Sequence, residues 1–223
     1  QTLVLHTPGA RERIERETGV SPQVVPFAHY RSFVPEHRSQ AERSAARTRL
    51  GIESSEDVIH LATFGYVDVR TKLTDVVVET AGWLAHWGHR VALYVVGAAN
   101  AEQEAALAKR AQFWGLADFR VTGFQTEDEF QDWLMAVDLG VQLRVSPLLG
   151  VSGPLSDLAA FGTPAVASQG LCVDVEAPDY MHRLPDAVSP VTVAEAIEAA
   201  LRAPVPADEV ERQRQEYLAR LAP

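Results

Sequence analysis

A single cysteine, Cys172, is all the thiol this 223-residue chain has, so no disulfide can form within it and a reducing compartment, the cytoplasm, is the expected setting. Lysine is nearly missing: Lys72 and Lys109 are the only two among 20 basic side chains, so a lysine at a plausible site stands out. No apolar run approaches the ~20 residues that a membrane-crossing helix needs. The opening Gln1-Thr-Leu-Val-Leu-His has neither an initiating Met nor the charged front of a signal peptide, and an excised piece of a longer chain is expected. No Gly-x-Gly-x-x-Gly or Gly-Lys-Ser/Thr element occurs, and the seven histidines have no metal-like spacing. A dinucleotide dehydrogenase, a P-loop enzyme and a histidine-rich metal site are therefore disfavoured, and His6, His60 and His86 read most simply as structural. Positive charge is also short. The formal net charge of −10 argues against nucleic acid or an anionic membrane surface as partner.

What the chain does have is apolar residue in quantity, 47% of the whole, enough for one large core. Its distribution is regular from Val58 onward. Val58 to Phe64, His89 to Val96, Phe119 to Phe124, Leu139 to Leu143 and Ala165 to Ser168 are near-continuous apolar strands. Between them lie helical patterns near Leu73–Trp87, Glu102–Phe113, Glu127–Ala136 and the stretch after Gly150. Pro185 to Ser189 is read as a small edge element, with helices near Val191–Arg202 and Ala207–Leu221. Buried strands alternating with helices predict an α/β fold, a doubly wound parallel sheet of Rossmann type. Upstream, Thr2–Leu5 and Gln23–Phe27 read as short strands around a charged helix, Ala10–Thr18. Residues from about His29 to Thr48 read as a polar linker ending in a helix near Gln40–Leu50. The expected division is 1–50 as the end of a preceding domain and linker, 51–205 as the Rossmann-like domain, and 206–223 as a C-terminal helix.

Ligands of such sheets lie beyond the carboxyl ends of the strands, which directs attention to four loops. The first carries Gly65 and Tyr66 at the strand end and Lys72 at the next helix start, where an ammonium can meet phosphate oxygens; an ordinary solvated lysine is the alternative. The third carries Gly123, which allows close backbone approach, and Phe124, which can pack beside a flat base or simply fill the core. Thr126 and Glu129 fit a capping box. The fourth strand ends in Arg144, able to bind a diphosphate or to form an internal salt bridge. Beyond it, Ser152 and Gly153 bring a hydroxyl and amides to a helix start, with Pro154 suited to the first helical position. Unpaired amides and the macrodipole make such a start an anion site, and a nucleotide diphosphate is the expected occupant. Asp157, one turn further, can support the helix or hold a ribose diol.

The order of these pieces resembles the C-terminal, donor-binding half of a GT-B glycosyltransferase, with retaining family four as the nearest match. The resemblance runs through Phe64-Gly65-Tyr66…Lys72, Leu93-Tyr-Val-Val-Gly97, Val121-Thr-Gly-Phe124, Ala136-Val-Asp-Leu-Gly140-Val-Gln-Leu-Arg144 and Ser152-Gly153…Gly162-Thr-Pro-Ala-Val-Ala-Ser168. It extends weakly into Val4-Leu-His-Thr and Val24-Val-Pro26. The resemblance implies a nucleoside-diphosphate sugar as substrate, no separate cofactor or metal, and a missing N-terminal acceptor domain as partner. It implies that Lys72 grips the diphosphate and that Asp157 takes the place of a ribose-binding glutamate. Two positions depart from the pattern. Tyr66 stands where that family has an arginine, and its sugar-contacting glutamate falls on Leu149 or Gly150. A second reading is therefore a catalytically degenerate module of the same shape that binds or scaffolds without transferring sugar. A nucleotide-sugar epimerase would want further carboxylates or histidines in the crevice.

Overall fold

A computed structural model describes residues 2–25, 34–36, 38–55, 57–145 and 150–221. Six parallel strands form the main sheet: β3 (Val58–Phe64), β4 (Arg90–Val96), β5 (Asp118–Val121), β6 (Leu139–Gln142), β7 (Ala165–Ser168) and β8 (Met181–Leu184). Two shorter strands, β1 (Val4–Leu5) and β2 (Gln23–Val24), pair in parallel around α1 (Arg11–Thr18). The main order is β5-β4-β3-β6-β7-β8, so the chain works outward from β3 on one side and then returns to build the other. That reversal leaves a crevice between β3 and β6 at their carboxyl ends.

Alternation along the strands divides the core. Ala62, Phe64, Ala92, Tyr94 and Val96 face one side, against α2 (Gln40–Arg49), α5 (Glu127–Ala136), α6 (Gly153–Phe161) and α9 (Ala207–Leu221). Leu61, Val91, Leu93 and Val95 face the other, against α3 (Thr74–His86), α4 (Ala101–Trp114) and α8 (Pro190–Arg202). Apolar side chains on both faces are what make β3 and β4 read as continuous hydrophobic runs. Capping boxes open α2, α4, α5 and α8, at Ser39, Asn100, Thr126 and Ser189. Each answers two of the amides that a helix start leaves without partners.

Three boundaries differ from the sequence reading. The edge strand lies at Met181–Leu184 and not at 185–189, where Pro185 can donate no ladder hydrogen bond and Ser189 caps α8. The strand expected to reach Phe124 stops at Val121, because Gly123 turns the chain with φ +73°. A short helix, α7 (Gln169–Asp174), follows β7 directly where no element is read from the sequence. The expected continuation of β2 to Phe27, linker residues 29–33 and Leu149 lie outside the described residues.

Candidate functional site

Asp68 builds the first loop. One carboxylate oxygen accepts from the Arg70 and Thr71 amides at 2.8 and 2.9 Å, and the other accepts the Thr71 hydroxyl at 2.7 Å. This local bonding holds the turn in place of helix and leads to Leu73 in the left-handed region at φ 52°. Lys72 is thereby folded back along the loop. Its Nζ lies 4.0 Å from the centre of the Tyr66 ring and against Gly65, whose missing side chain makes the room. Burial, then the neighbouring Arg144 charge, push the Lys72 ammonium below its ordinary pKa, while Asp68 opposes them.

The loops after β3, β4 and β5 close around one cavity of about 400 Å³, a size suited to a small ligand. Gly65, Tyr66, Gly97, Gly123, Phe124 and Phe130 line it. The Gly65 amide donates to the Val96 carbonyl at 2.9 Å, and the two strand ends approach so closely that a side chain on Gly97 would collide with the Gly65 backbone. Phe124 is 92% exposed, so of the two sequence alternatives it is not a core residue. Trp133 donates to Gln125 at 2.9 Å, which fixes the chain immediately after it.

Arg144, at the end of β6, connects the two halves of the crevice. Its amide donates to the Ser168 hydroxyl at 2.9 Å and its guanidinium to the Gly150 carbonyl at 3.2 Å, while its charge acts on Lys72. The Gly150 amide in turn donates to Asp174, which also accepts from Gly9 in the N-terminal segment. Desolvation nevertheless holds the Asp174 carboxyl above its usual range. One carboxylate thus joins the glycine turn to the segment leading in from β1.

The start of α6 differs from the open set of amides that the sequence suggests. Ser152 is 3% exposed, and its hydroxyl accepts from the Leu155 amide at 3.3 Å. Pro154 brings no N–H. At most the Ser152 and Gly153 amides remain for an anion, two in place of four. Asp157 is 1% exposed on the same helix, beside the core side chains of Leu155 and Leu158. The structure therefore brings Gly65, Tyr66, Lys72, Gly123 and Phe124 together around one cavity and its rim. Arg144 connects Lys72 to the glycine turn through its charge and its hydrogen bond to Gly150, and Asp157 is buried in α6. Asp68 and Asp174 escape sequence reading, and Gly97 enters it within the resemblance but not as a site residue. Gly97 alone carries a signal, a glycine ending the strand next to the one that ends at Gly65.

No protein-family model matches the sequence, and no curated protein sequence matches it significantly. Solved structures do match. Anabaena Alr3699/HepE in complex with UDP and glucose superposes with a TM-score of 0.75 at 15% identity, covering 98% of this chain and 58% of that one. WaaG, a glycosyltransferase involved in lipopolysaccharide biosynthesis, gives 0.74 at 17%, covering 98% and 57%. The C-terminal domain of LpcC, a glycosyl transferase group 1 family protein from Francisella tularensis, gives 0.62 at 15%, covering 85% of this chain and 93% of that domain. The chain spans little more than half the length of the first two. Its fold is that of the C-terminal Rossmann-like domain of a GT-B glycosyltransferase.

Proposed function

We propose that this chain is the donor-binding part of a glycosyltransferase that moves a sugar from a nucleoside diphosphate to an acceptor held elsewhere. The observation that supports it most is the cavity at the ends of β3, β4 and β5, with the Lys72 ammonium against the Gly65 and Tyr66 that line it. The HepE structures contain UDP, with glucose or as UDP-glucose, and that ligand on a similar fold supports a nucleotide sugar as the donor. In this reading Phe124 and Gly123 hold the base. Lys72, Arg144 and the Ser152 and Gly153 amides meet the diphosphate. As the bond between sugar carbon and phosphate oxygen breaks, the electron pair stays on that oxygen. The two cations stabilise the charge that develops there. Closure of an acceptor domain over the crevice would exclude water and complete the site.

Calorimetric titration with UDP, GDP, ADP and TDP tests it. One nucleotide binds saturably and Lys72→Ala weakens it about tenfold or more, the cost of a charged hydrogen bond. Silence toward all four nucleotides refutes the proposal. The degenerate-module reading draws on a separate observation, the partly occupied start of α6. That reading is carried if nucleotides fail to bind while the chain remains folded.

A further inference from the structure

The opposite edge of the sheet carries a second and larger opening. At the amino ends of β3, β6 and β7 a cavity of about 560 Å³ adjoins another of about 550 Å³, the two sharing Gln40, Arg43, Asp138 and Leu201. Three arginines gather there around one carboxylate. Arg43 and Arg47 both donate to Asp138, Arg47 at 2.9 Å, and the second Asp138 oxygen accepts the His60 amide at 2.8 Å. Asp138 is thus fully engaged, and among the described residues Arg38 gains only the Met135 carbonyl, at 3.1 Å, and the Val137 carbonyl. Those carbonyls end α5, whose macrodipole supplies about half a negative charge.

The other acids lining the cavities are taken as well. Glu211 pairs with Arg214 at 2.8 Å, and Glu198 lies 2.8 Å from Arg202 and 3.2 Å from His89. The chain has a net charge of −10, yet among the described residues the three arginines here, set against Asp138 and the end of α5, leave more than one unit of positive charge in excess. The Nε atoms of Arg38 and Arg43 are shut off from solvent and have no hydrogen-bond partner among the described residues. Burial is the main cause that pushes both guanidiniums below their ordinary pKa; repulsion from a neighbouring arginine adds to it and Asp138 opposes it. Beyond the arginines the wall turns apolar, with Leu139, Pro164, Val205 and Val210.

We propose that this groove binds a small phosphate monoester with an apolar body, its phosphate held by Arg38 and Arg43 and its body lying toward Val205 and Val210. Guanidinium groups match phosphate oxygens in pairs, and a monoester carries between one and two negative charges at neutral pH, the size of the excess. The site is separate from the donor crevice and does not depend on that reading.

Titration of the whole chain with phenyl phosphate, inorganic phosphate and phenol tests it. Phenyl phosphate should saturate at millimolar concentration or below, about tenfold more tightly than inorganic phosphate, with phenol silent. The binding should survive Lys72→Ala, which removes a cation of the donor crevice. It should fall at least about tenfold in Arg38→Gln and in Ala207→Trp. Ala207 is an exposed residue of the cavity wall, so its replacement obstructs the groove without entering the core and guards against an Arg38 variant that fails to fold. Absence of saturation, equal binding of inorganic phosphate, loss in Lys72→Ala, or indifference to Ala207→Trp in folded protein each overturns the proposal.

Discussion

Phe124→Ala separates binding from folding more cleanly than any other change at the crevice. Phe124 is 92% exposed, so its ring buries little surface in the free protein and truncation costs the fold within about 0.5 kcal/mol, as for other surface positions. It nevertheless lines the cavity assigned to the base, opposite Tyr66 and Gly65. Stacking a base on an aromatic ring is worth about 1–3 kcal/mol, so nucleotide affinity should fall roughly 5- to 150-fold. Calorimetry with the best of the four nucleoside diphosphates gives the first number, and a urea denaturation midpoint gives the second. The expected pair is weakened binding at an unchanged midpoint. Affinity held within about twofold would show that the base does not stack there, and a lowered midpoint would show that the ring is structural.

Two further predictions concern the fold. Gly97→Ala places a side chain against the Gly65 backbone, so stability should fall by about 1–3 kcal/mol and nucleotide affinity should drop with it; an unchanged urea midpoint contradicts the close approach of the two strand ends. His60 is fully buried, with Nδ1 3.1 Å from the Tyr94 hydroxyl, and burial followed by the Arg47 charge pushes its imidazole from 6.5 down to about 4. The unfolded chain therefore binds the extra proton throughout that window, and acidification from pH 6.5 to 4.5 should remove about 2–3 kcal/mol of stability through this residue. In His60→Gln that share of the pH dependence should vanish, and a stability curve parallel to the parent's would refute the assignment.

Much of the architecture is legible in the sequence because the governing signals are local or periodic. β3 and β4 are buried on both faces, and a mostly apolar seven-residue stretch followed by a glycine admits few other readings. The gathering of Gly65, Tyr66, Gly123 and Phe124 follows from one topological rule about strand ends, and the structure has all four on the same cavity. What stays hidden depends on contacts between distant segments. Arg214 lies in Glu209-Val-Glu-Arg-Gln-Arg-Gln-Glu, which reads as a solvated helix face, yet it is 1% exposed and donates to the carbonyls of Pro35, Glu36 and Ala160. Within α9 its pairing with Glu211 is an ordinary i,i+3 contact that does not mark burial, and the carbonyl partners come from the linker and from α6. At the glycine turn the misreading has a different source. Ser152 has one hydroxyl, and the helix it precedes has first claim on it. The sequence shows both uses but not which prevails.

The chemistry of the crevice then turns on Lys72 and on why a tyrosine can stand beside it. If the crevice takes a diphosphate as proposed, then with the amides at α6 reduced to at most two, most of the attraction has to come from Lys72 and Arg144. These repel each other without a ligand, which adds to burial in lowering the Lys72 pKa, and an anion between them would relieve that repulsion. A second arginine at position 66 would add to the repulsion in the empty site. Tyr66 offers its ring face instead, 4.0 Å from the ammonium. A half-buried contact of that kind is worth about 0.5–2 kcal/mol, against roughly 1.5–3 kcal/mol for a charge-assisted hydrogen bond to phosphate. The ring can therefore steady the lysine in the empty crevice and yield it to a phosphate. Tyr66→Arg should accordingly raise affinity for the diphosphate at the expense of stability, and a gain in both would mean that the repulsion between Lys72 and Arg144 does not limit the site.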